Sequence, residues 1–208
     1  MFKKLAAIHC LEVPIEKDPN WLQDFADIRC KNAFKKFPIE EEILKYNCET
    51  LKAHDLKDEL NFIKNVIERV NSPVVFTHND YRSLNLMITE PNDELIVCDF
   101  DISCYGYRGN DFVYLIRDWR PRDESYKVME GIPCEDSVLS PLLHIYLKEM
   151  QRIVGKDYFE NEINSVEHLI REVKVFSLFQ ILVTCVYTLK MEGNRKEFMV
   201  SCLFVTIN

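Results

Sequence analysis

The segment FTHNDYRSLNLMI contains three polar residues at fixed intervals, His78, Asp80 and Asn85. A later apolar run, in IVCDFD, ends in a fourth polar residue, Asp99. A carboxylate such as Asp80 can orient a hydroxyl group and accept its proton. The amide oxygen of Asn85 and the carboxylate of Asp99 are the hard oxygen ligands that Mg²⁺ prefers. The pattern H-x-D-x-x-x-x-N with a following aspartate is therefore typical of phosphoryl transfer from a magnesium-bound nucleoside triphosphate to a hydroxyl group.

The same residues also have an ordinary interpretation. An isolated H-x-D triplet with a nearby asparagine arises by chance, and Asp80 or Asn85 alone would more often be a turn or capping residue. The apolar runs and the VCDFD segment that accompany them favour the catalytic interpretation. Within it, we expect His78 to brace the loop by hydrogen bonding rather than to enter the chemistry.

The surrounding elements are predicted to be mainly helical, with one small β-hairpin. VVFTH is predicted to be a strand, and residues 86–88 and 95–99 are predicted to form the hairpin arms around the turn-forming TEPNDE. Helices are expected again from about Asp111, including 142–154 and 165–190. Up to Val70 the apolar residues recur at helical spacing, and NSP ends this helical part of the chain. The clearest series is Leu56, Leu60, Ile63, Ile67 and Val70.

Composition and charge limit the kinds of function that the protein can have. The chain has 208 residues, of which 47% are apolar, as expected for a core-forming protein. Its 26 basic and 34 acidic residues give a net charge of −8 without a cationic face, which argues against nucleic acid as a partner. Acidic groups suit a small cationic substrate or a metal-bound phosphate compound. The eight cysteines are scattered, without a C-x-x-C pair, which favours reduced thiols in a cytoplasmic protein.

Two apolar segments resemble targeting or membrane sequences without matching them. MFKKLAAIHCLEV begins like a signal peptide, but its apolar part is interrupted by His9 and Glu12, so we predict an amphipathic helix. VFSLFQILVTCVYTL contains Gln180 and is shorter than the ~20 residues that a membrane span needs. It is predicted to be a buried helix.

Longer segments carry a family resemblance. SPVVFTHNDYRSLNLMI and IVCDFDISCYGYRGNDFVYLIRDW closely resemble the choline/ethanolamine kinase family over residues 72–119, and LAAIHCLEVPI and KNVIERV resemble it more weakly. That family transfers the γ-phosphoryl group of ATP to the hydroxyl of a small amino alcohol, the first step in making choline or ethanolamine phospholipids. The resemblance implies Asp80 as the catalytic base and Asn85 and Asp99 as ligands of Mg²⁺ and nucleotide. Asp101, which replaces the family's usual glutamate, is implied near the metal or substrate.

The resemblance also implies an architecture. We expect an α+β chain that forms the mainly helical C-terminal lobe of a protein-kinase-like fold, with a small β-hairpin that carries the catalytic and metal-binding segments. Residues 1–208 are expected to be one lobe. It would consist of leading helices at 1–71, the catalytic loop, hairpin and metal segment at 72–119, and a helical substrate side at 120–208.

One part of the family's apparatus is missing from the sequence. A kinase also needs a glycine-bearing phosphate loop and a lysine ahead of the catalytic loop. The first glycine here is Gly106, which follows the metal segment, and residues before Ser72 show no strand pattern. The N-terminal ATP-binding lobe is therefore expected to be absent, which would make the isolated chain a poor or inactive ATP kinase.

The substrate side also departs from the family. The family's late helix supplies tryptophans that hold a quaternary ammonium ion by cation–π contacts, whereas VKVFSLFQILVTCVYTLKM has none. Its Phe176 and Phe179 are interpreted mainly as core residues. The case for choline as the substrate is thus weaker than the case for ethanolamine or another amino alcohol. The predicted substrate residues, in addition to Asp101, are Tyr105, Tyr107, Trp119 and Tyr187.

Three functional hypotheses remain open on the sequence. They are a choline/ethanolamine-type kinase, a non-catalytic pseudokinase or partner subunit, and a related aminoglycoside-type phosphotransferase, against which the YRGxD tract argues. Arg108 and Asp111 in that tract are predicted to form a structural ion pair. Apolar surface around MFKKLAAIHC is expected to be uncovered, so a homo-oligomer or a hetero-oligomer with a full-length kinase is also expected.

Overall fold

The computed structural model describes residues 1–36, 39–45, 55–118 and 135–188. Seven helices and four short strands form this part of the chain, together with single 3₁₀ turns at Ser83–Asn85, Lys156–Glu160 and Glu162–Asn164. The helices are α1 Phe2–His9, α2 Trp21–Lys36, α3 Ile39–Lys45, α4 Leu56–Val70, α5 Arg108–Asp118, α6 Asp136–Val154 and α7 Val166–Thr188. The strands are β1 Val74–Thr77, β2 Leu86–Thr89, β3 Glu94–Val97 and β4 Cys104–Tyr107.

Helix α4 shows how local sequence sets the boundaries of an element. The Asp55 carboxylate caps its first turn by accepting the backbone N–H groups of Lys57 and Asp58. Asn71 ends the helix in a left-handed conformation with φ 55°, which asparagine tolerates. The predicted apolar series faces inward, because Leu56, Leu60, Ile63 and Ile67 are all buried. The helical prediction for the first third of the chain is confirmed for its described residues.

The strands form two separate antiparallel pairs. β2 pairs with β3 in the register Leu86↔Val97 to Thr89↔Glu94, which confirms the predicted hairpin. Its second arm ends at Val97, so the prediction that the arm reached residue 99 is wrong. The other pair joins β1 to β4, from Val74↔Tyr107 to Thr77↔Cys104. This pairing was not predicted, yet it closes the segment that contains both the catalytic loop and the hairpin.

Two helices start earlier than the pattern indicated. α5 begins at Arg108, directly after β4, rather than near Asp111; the Arg108 N–H donates to the Pro73 carbonyl at 2.9 Å and fixes this corner. α6 begins at Asp136 rather than at 142, because Pro141 lies inside the helix instead of at its start. α1 and α7 lie where helices were predicted.

The core has two clusters that share α7. One cluster packs α1 against α5, α6 and the first half of α7, around residues such as Leu5 and Tyr146. The other packs α2 and α4 against Phe176 and Phe179 of α7, which confirms that these two aromatics are core residues. The expectation of uncovered apolar surface on α1 is wrong, since Phe2 and Leu5 are buried. Along the described ranges, none of the helices combines the length and hydropathy that crossing a bilayer requires.

Arg108 is buried in a polar network, but not with the predicted partner. Its guanidinium pairs with Glu172 of α7, at 2.5 Å from Nη2 to Oε1, and both side chains are almost wholly buried. It also donates to Asn164 and to the Ile163 carbonyl. Asp111 has other partners, described below, so the predicted Arg108–Asp111 pair is wrong. The Arg108–Glu172 pair joins the start of α5 to α7 beside the β1–β4 sheet.

Candidate active site

The loop after β1 brings Asp80 and Asn85 into direct contact. The 3₁₀ turn Ser83–Asn85 folds the chain back, and Asn85 Nδ2 donates to Asp80 Oδ2 and to the Asp80 carbonyl, each at 2.9 Å. Arg82 Nε lies 3.0 Å from Asp80 Oδ1 and 3.1 Å from Oδ2. The Asp80 side chain keeps 20% of its surface exposed. A carboxylate oriented by two neighbours and still open to solvent is the arrangement that a general base requires.

Asn85 presents a defined amide orientation. Because its nitrogen faces Asp80, its carbonyl oxygen is directed away from that carboxylate and is the atom that could bind a cation. Asn85 itself is buried, with 6% of its surface exposed. The residue therefore both orients Asp80 and offers an oxygen ligand.

Asp99 lies at the same end of the hairpin as Asn85. The Cys98 N–H donates to the Asn85 carbonyl at 3.0 Å, which extends the β2–β3 pairing by one step. Asp99 is the next residue and is exposed, with a left-handed φ of 66° that turns the chain out of the strand. Non-glycine residues in this conformation are concentrated at functional sites. The hairpin thus delivers the two predicted metal ligands to one edge of the molecule.

His78 connects the catalytic loop to the metal segment. Its Nε2 lies 3.0 Å from the Cys98 carbonyl, and its Nδ1 accepts the Asp80 N–H at 3.3 Å. Its ring packs on Phe100 at 4.7 Å between centroids, and its carbonyl accepts the Ser103 hydroxyl at 3.1 Å. The fully buried histidine braces the loop, as predicted.

Asp111, in the first turn of α5, holds the backbone of the catalytic loop by hydrogen bonds. Its wholly buried carboxylate accepts the N–H groups of His78 and Asn79, both at 2.7 Å. His9 of α1 lies 3.2 Å from the same carboxylate through Nε2, and its Nδ1 is 2.9 Å from the Tyr146 hydroxyl. Asp111 was predicted to pair with Arg108, so its contacts with the loop were not expected. The available signal was its place at the start of a helix that must pack beneath the loop.

The donor set suits Mg²⁺ in a site completed by a substrate. Within the described ranges, no group of three or more histidine, cysteine, aspartate or glutamate residues could hold a metal ion by itself. Mg²⁺ is usually bound by one or two carboxylates together with substrate phosphates and water. Asn85 and Asp99 provide an amide and a carboxylate oxygen, and the exposed Asp101 follows two residues later. These residues fit a magnesium ion that arrives with a nucleotide.

The predicted aromatic substrate residues are not gathered around Asp80 in the described part of the chain. Tyr105 is buried in the core, where its hydroxyl oxygen accepts the Val13 N–H at 2.9 Å. Tyr107 is half-buried and packs against Phe176 at 5.9 Å. Trp119 lies outside the described residues, and Tyr187 lies in the last turn of α7, where the helix is described but that side chain is not. Their substrate roles stay predictions.

Comparison with known proteins identifies the family. The family model for choline/ethanolamine kinase matches residues 2–202. The chain belongs to the choline/ethanolamine kinase family. A rat choline/ethanolamine kinase is 30% identical over 193 residues, covering 84% of this chain and 45% of the relative. A probable ethanolamine kinase from Arabidopsis thaliana is 28% identical over 126 residues, covering 61% of this chain and 33% of the relative.

Solved structures of choline and ethanolamine kinases share the fold. An ethanolamine kinase from Plasmodium vivax superposes with a TM-score of 0.60 at 17% identity, covering 97% of this chain and 56% of that one. A choline kinase from Cryptosporidium parvum superposes with a TM-score of 0.55 at 17% identity, covering 97% of this chain and 61% of that one. The predicted family and the kinase-like α+β fold are thereby confirmed. The chain spans about half the length of the curated choline/ethanolamine kinases that it matches.

Proposed function

We propose that this chain carries the catalytic and metal-binding segments of an ATP-dependent kinase that phosphorylates the hydroxyl of choline or ethanolamine. The observation that carries the proposal is the contact between Asn85 and the partly exposed Asp80 carboxylate, at the hairpin end that also carries Asp99. Membership of the choline/ethanolamine kinase family supports it. The proposal includes a cytoplasmic location and a role in phospholipid synthesis.

Each side chain has a defined role in this reaction. Asp80 accepts a hydrogen bond from the substrate hydroxyl, aligns its oxygen with the γ-phosphorus of ATP and takes the proton as the new bond forms. Asn85 holds that carboxylate in place through Nδ2. Asn85 Oδ1 and the Asp99 carboxylate would hold Mg²⁺, which when bound supplies positive charge against the phosphate oxygens. Asp101, near the same edge, is a further candidate for the metal or for the amine.

Ethanolamine is the preferred amino alcohol in this proposal. A quaternary ammonium ion has no N–H donors and depends on aromatic faces, whereas a primary ammonium ion can donate to carboxylates such as Asp101. Neither Tyr105 nor Tyr107 presents an open aromatic face beside Asp80, because one is buried in the core and the other packs on Phe176. The carboxylate-rich edge therefore favours the primary amine.

Ligand-induced stabilisation tests this function. A ligand that binds only the folded state raises the melting temperature. We expect Mg²⁺ with ATP to raise it, and ethanolamine to add to this shift more than choline does at equal concentration. The matched control is Asp99→Asn, in which the nucleotide-dependent shift should fall. The absence of any shift with nucleotide and either amine would contradict the proposal.

A further inference from the structure

Three amide side chains, two buried and one half-buried, form a row from the catalytic loop to α7. Asn110 Nδ2 donates to Asn79 Oδ1 at 3.0 Å, and Gln180 Nε2 donates to Asn110 Oδ1 at 2.7 Å. Asn79 and Asn110 are only 3% and 1% exposed. Asn79 directly precedes Asp80, so the row ends one residue from the proposed base.

The orientation of all three amides is set from one end. Asn79 Nδ2 donates to the Ile102 carbonyl at 3.0 Å, and a carbonyl can only accept. The Asn79 oxygen must therefore face Asn110, which has to donate through its nitrogen. The Asn110 oxygen then faces α7, where only a donor such as the Gln180 amide nitrogen can satisfy it. Reversing any one amide would place two acceptors or two donors against each other.

Asn79 needs this support because of its backbone. Its φ of 64° lies in the left-handed region, which is unfavourable for a residue with a side chain and persists only where surrounding contacts enforce it. Asp111 holds its N–H at 2.7 Å, and the amide row holds its side-chain oxygen. The two sets of contacts together fix the torsion that aims Asp80.

We propose that Asn110 and Gln180 are positioning residues that hold Asn79, and through it Asp80, in the orientation for catalysis. The kinetic part of this proposal rests on the proposed phosphotransferase function. The location of Gln180 supports it, because a half-buried amide among the mostly apolar residues 175–183 is costly unless it is hydrogen-bonded. Gln180 Nε2 is also 3.3 Å from the Tyr114 hydroxyl, which gives the amide a second acceptor.

Hydrogen exchange measured by mass spectrometry tests the row without requiring activity. In Gln180→Leu, a peptide covering residues 77–85 should exchange about fivefold faster, as expected for the loss of one side-chain hydrogen bond. Peptides from α6 should be unchanged. Ser177→Ala is the matched control on the same helix, because the Ser177 hydroxyl is buried and has no hydrogen-bond partner among the described residues. It should leave the loop peptide at the wild-type rate.

Gln180→Glu distinguishes hydrogen bonding from packing. A protonated carboxyl group can donate to Asn110 Oδ1, whereas an ionised one cannot, and burial raises the pKa of such a group. After correction for intrinsic exchange, protection of the loop peptide should be present at low pH and lost as the pH rises. Wild type and Gln180→Leu should show no such change. In an active preparation, kcat should follow the same profile while KM for ATP stays within about twofold.

Two results would overturn the inference. One is wild-type exchange of the loop peptide in Gln180→Leu, and the other is an increase spread equally over the loop and α6. The absence of any melting-temperature shift with nucleotide and either amine in the wild type would count against the proposed function alone, since the exchange measurements would still decide the positioning role.

Discussion

At the scale of single residues, the site is a small set of oxygen atoms with their orientations fixed by neighbours. Asn85 both holds Asp80 and directs its own oxygen away from it, and Asp99 turns out of the hairpin beside it. Chemistry assigned to Asp80 is therefore separable from its contribution to stability, because the side chain is partly exposed.

Replacing Asp80 with asparagine should remove the proton acceptor and leave the fold intact. The side chains are nearly the same size, and a general base typically contributes about 10²–10⁴-fold to the rate. We expect kcat to fall by that factor, with a melting temperature close to wild type. Steady-state ADP release and thermal denaturation check the two parts. Asp157→Asn, an exposed aspartate on a distant 3₁₀ turn, is the control and should retain full activity.

At the scale of elements, α5 and α7 approach each other closely where α5 begins. A Cβ atom added to Gly109 would stand 2.7 Å from Cε2 of Phe176 and 3.0 Å from Cβ of Glu172, both on α7. Glycine is required there because the two helices meet without space for a side chain.

Gly109→Ala should therefore destabilise the protein by overpacking. Forcing a methyl group into a filled core costs about 1–3 kcal/mol. Urea unfolding followed by circular dichroism measures the loss. Adding Phe176→Leu to Gly109→Ala should recover part of it, whereas Phe176→Leu alone should destabilise. A double variant no more stable than the sum of the single losses would argue against the steric explanation.

Helix α7 also carries a histidine that makes stability depend on pH. Burial lowers the pKa of His168 from its usual 6.5, with Arg108 and Arg171 acting in the same direction and Glu172 opposing them. The Arg171 guanidinium donates to His168 Nδ1 at 3.3 Å, a bond that only the neutral ring can accept. Below about pH 6.5 the unfolded chain binds a proton that the folded chain resists.

The contribution of the neutral His168 to stability should consequently be complete above about pH 6.5 and should fall as the pH drops from there towards the lowered pKa. His168→Gln removes this titration. Urea midpoints at about pH 7.5 and 5.5 should differ less in the variant than in the wild type. If the urea midpoint depends on pH equally in the wild type and in His168→Gln, His168 is not the source of the pH-dependent stability.

The elements also show which parts of the structure local sequence determines. The loop and hairpin were predictable because their turn residues and apolar runs are adjacent in the chain. The β1–β4 pair was not, since CYGY lacks a strand pattern and its partner residues lie 27 to 33 positions earlier in the chain. The partners of Arg108 and Asp111 were missed for the same reason: Glu172 and His9 are distant in sequence.

At the scale of the whole molecule, the 208 residues contain the helical part of a kinase-like fold. The first glycine lies after the metal segment, so no glycine-bearing loop precedes Asp80 within this sequence. Contacts to the triphosphate from such a loop and its lysine contribute through positioning and charge stabilisation.

The 208-residue polypeptide, purified alone, should therefore turn over at least about 10²-fold more slowly than a two-lobed kinase of the family. A coupled ADP-release assay with ethanolamine, run beside a full-length relative, makes the comparison. Turnover near that of the full-length enzyme would show that these 208 residues suffice.

The hairpin surface supports a second prediction at this scale. Its exposed apolar side chains include Met87 and Ile96, which pair across one face at 50% and 40% exposure, and Ile88 on the other face at 69%. Exposed apolar side chains of this kind favour association. We expect sedimentation velocity to show concentration-dependent oligomers. Ile88→Lys should shift the distribution towards monomer, whereas Phe62→Lys, which changes an equally exposed side chain on α4, should not.

The left-handed torsions of Asn79 and Asp99 limit how this site can vary or be transplanted. Asparagine, aspartate and glycine are the residues that accept such torsions most readily, and β-branched residues do so least. Evolutionary drift at positions 79 and 99 is thus confined to a few amino acids by geometry, before chemistry is considered. Grafting the same residues onto a loop with ordinary torsions would transfer the functional groups without the orientation that the left-handed backbone gives them.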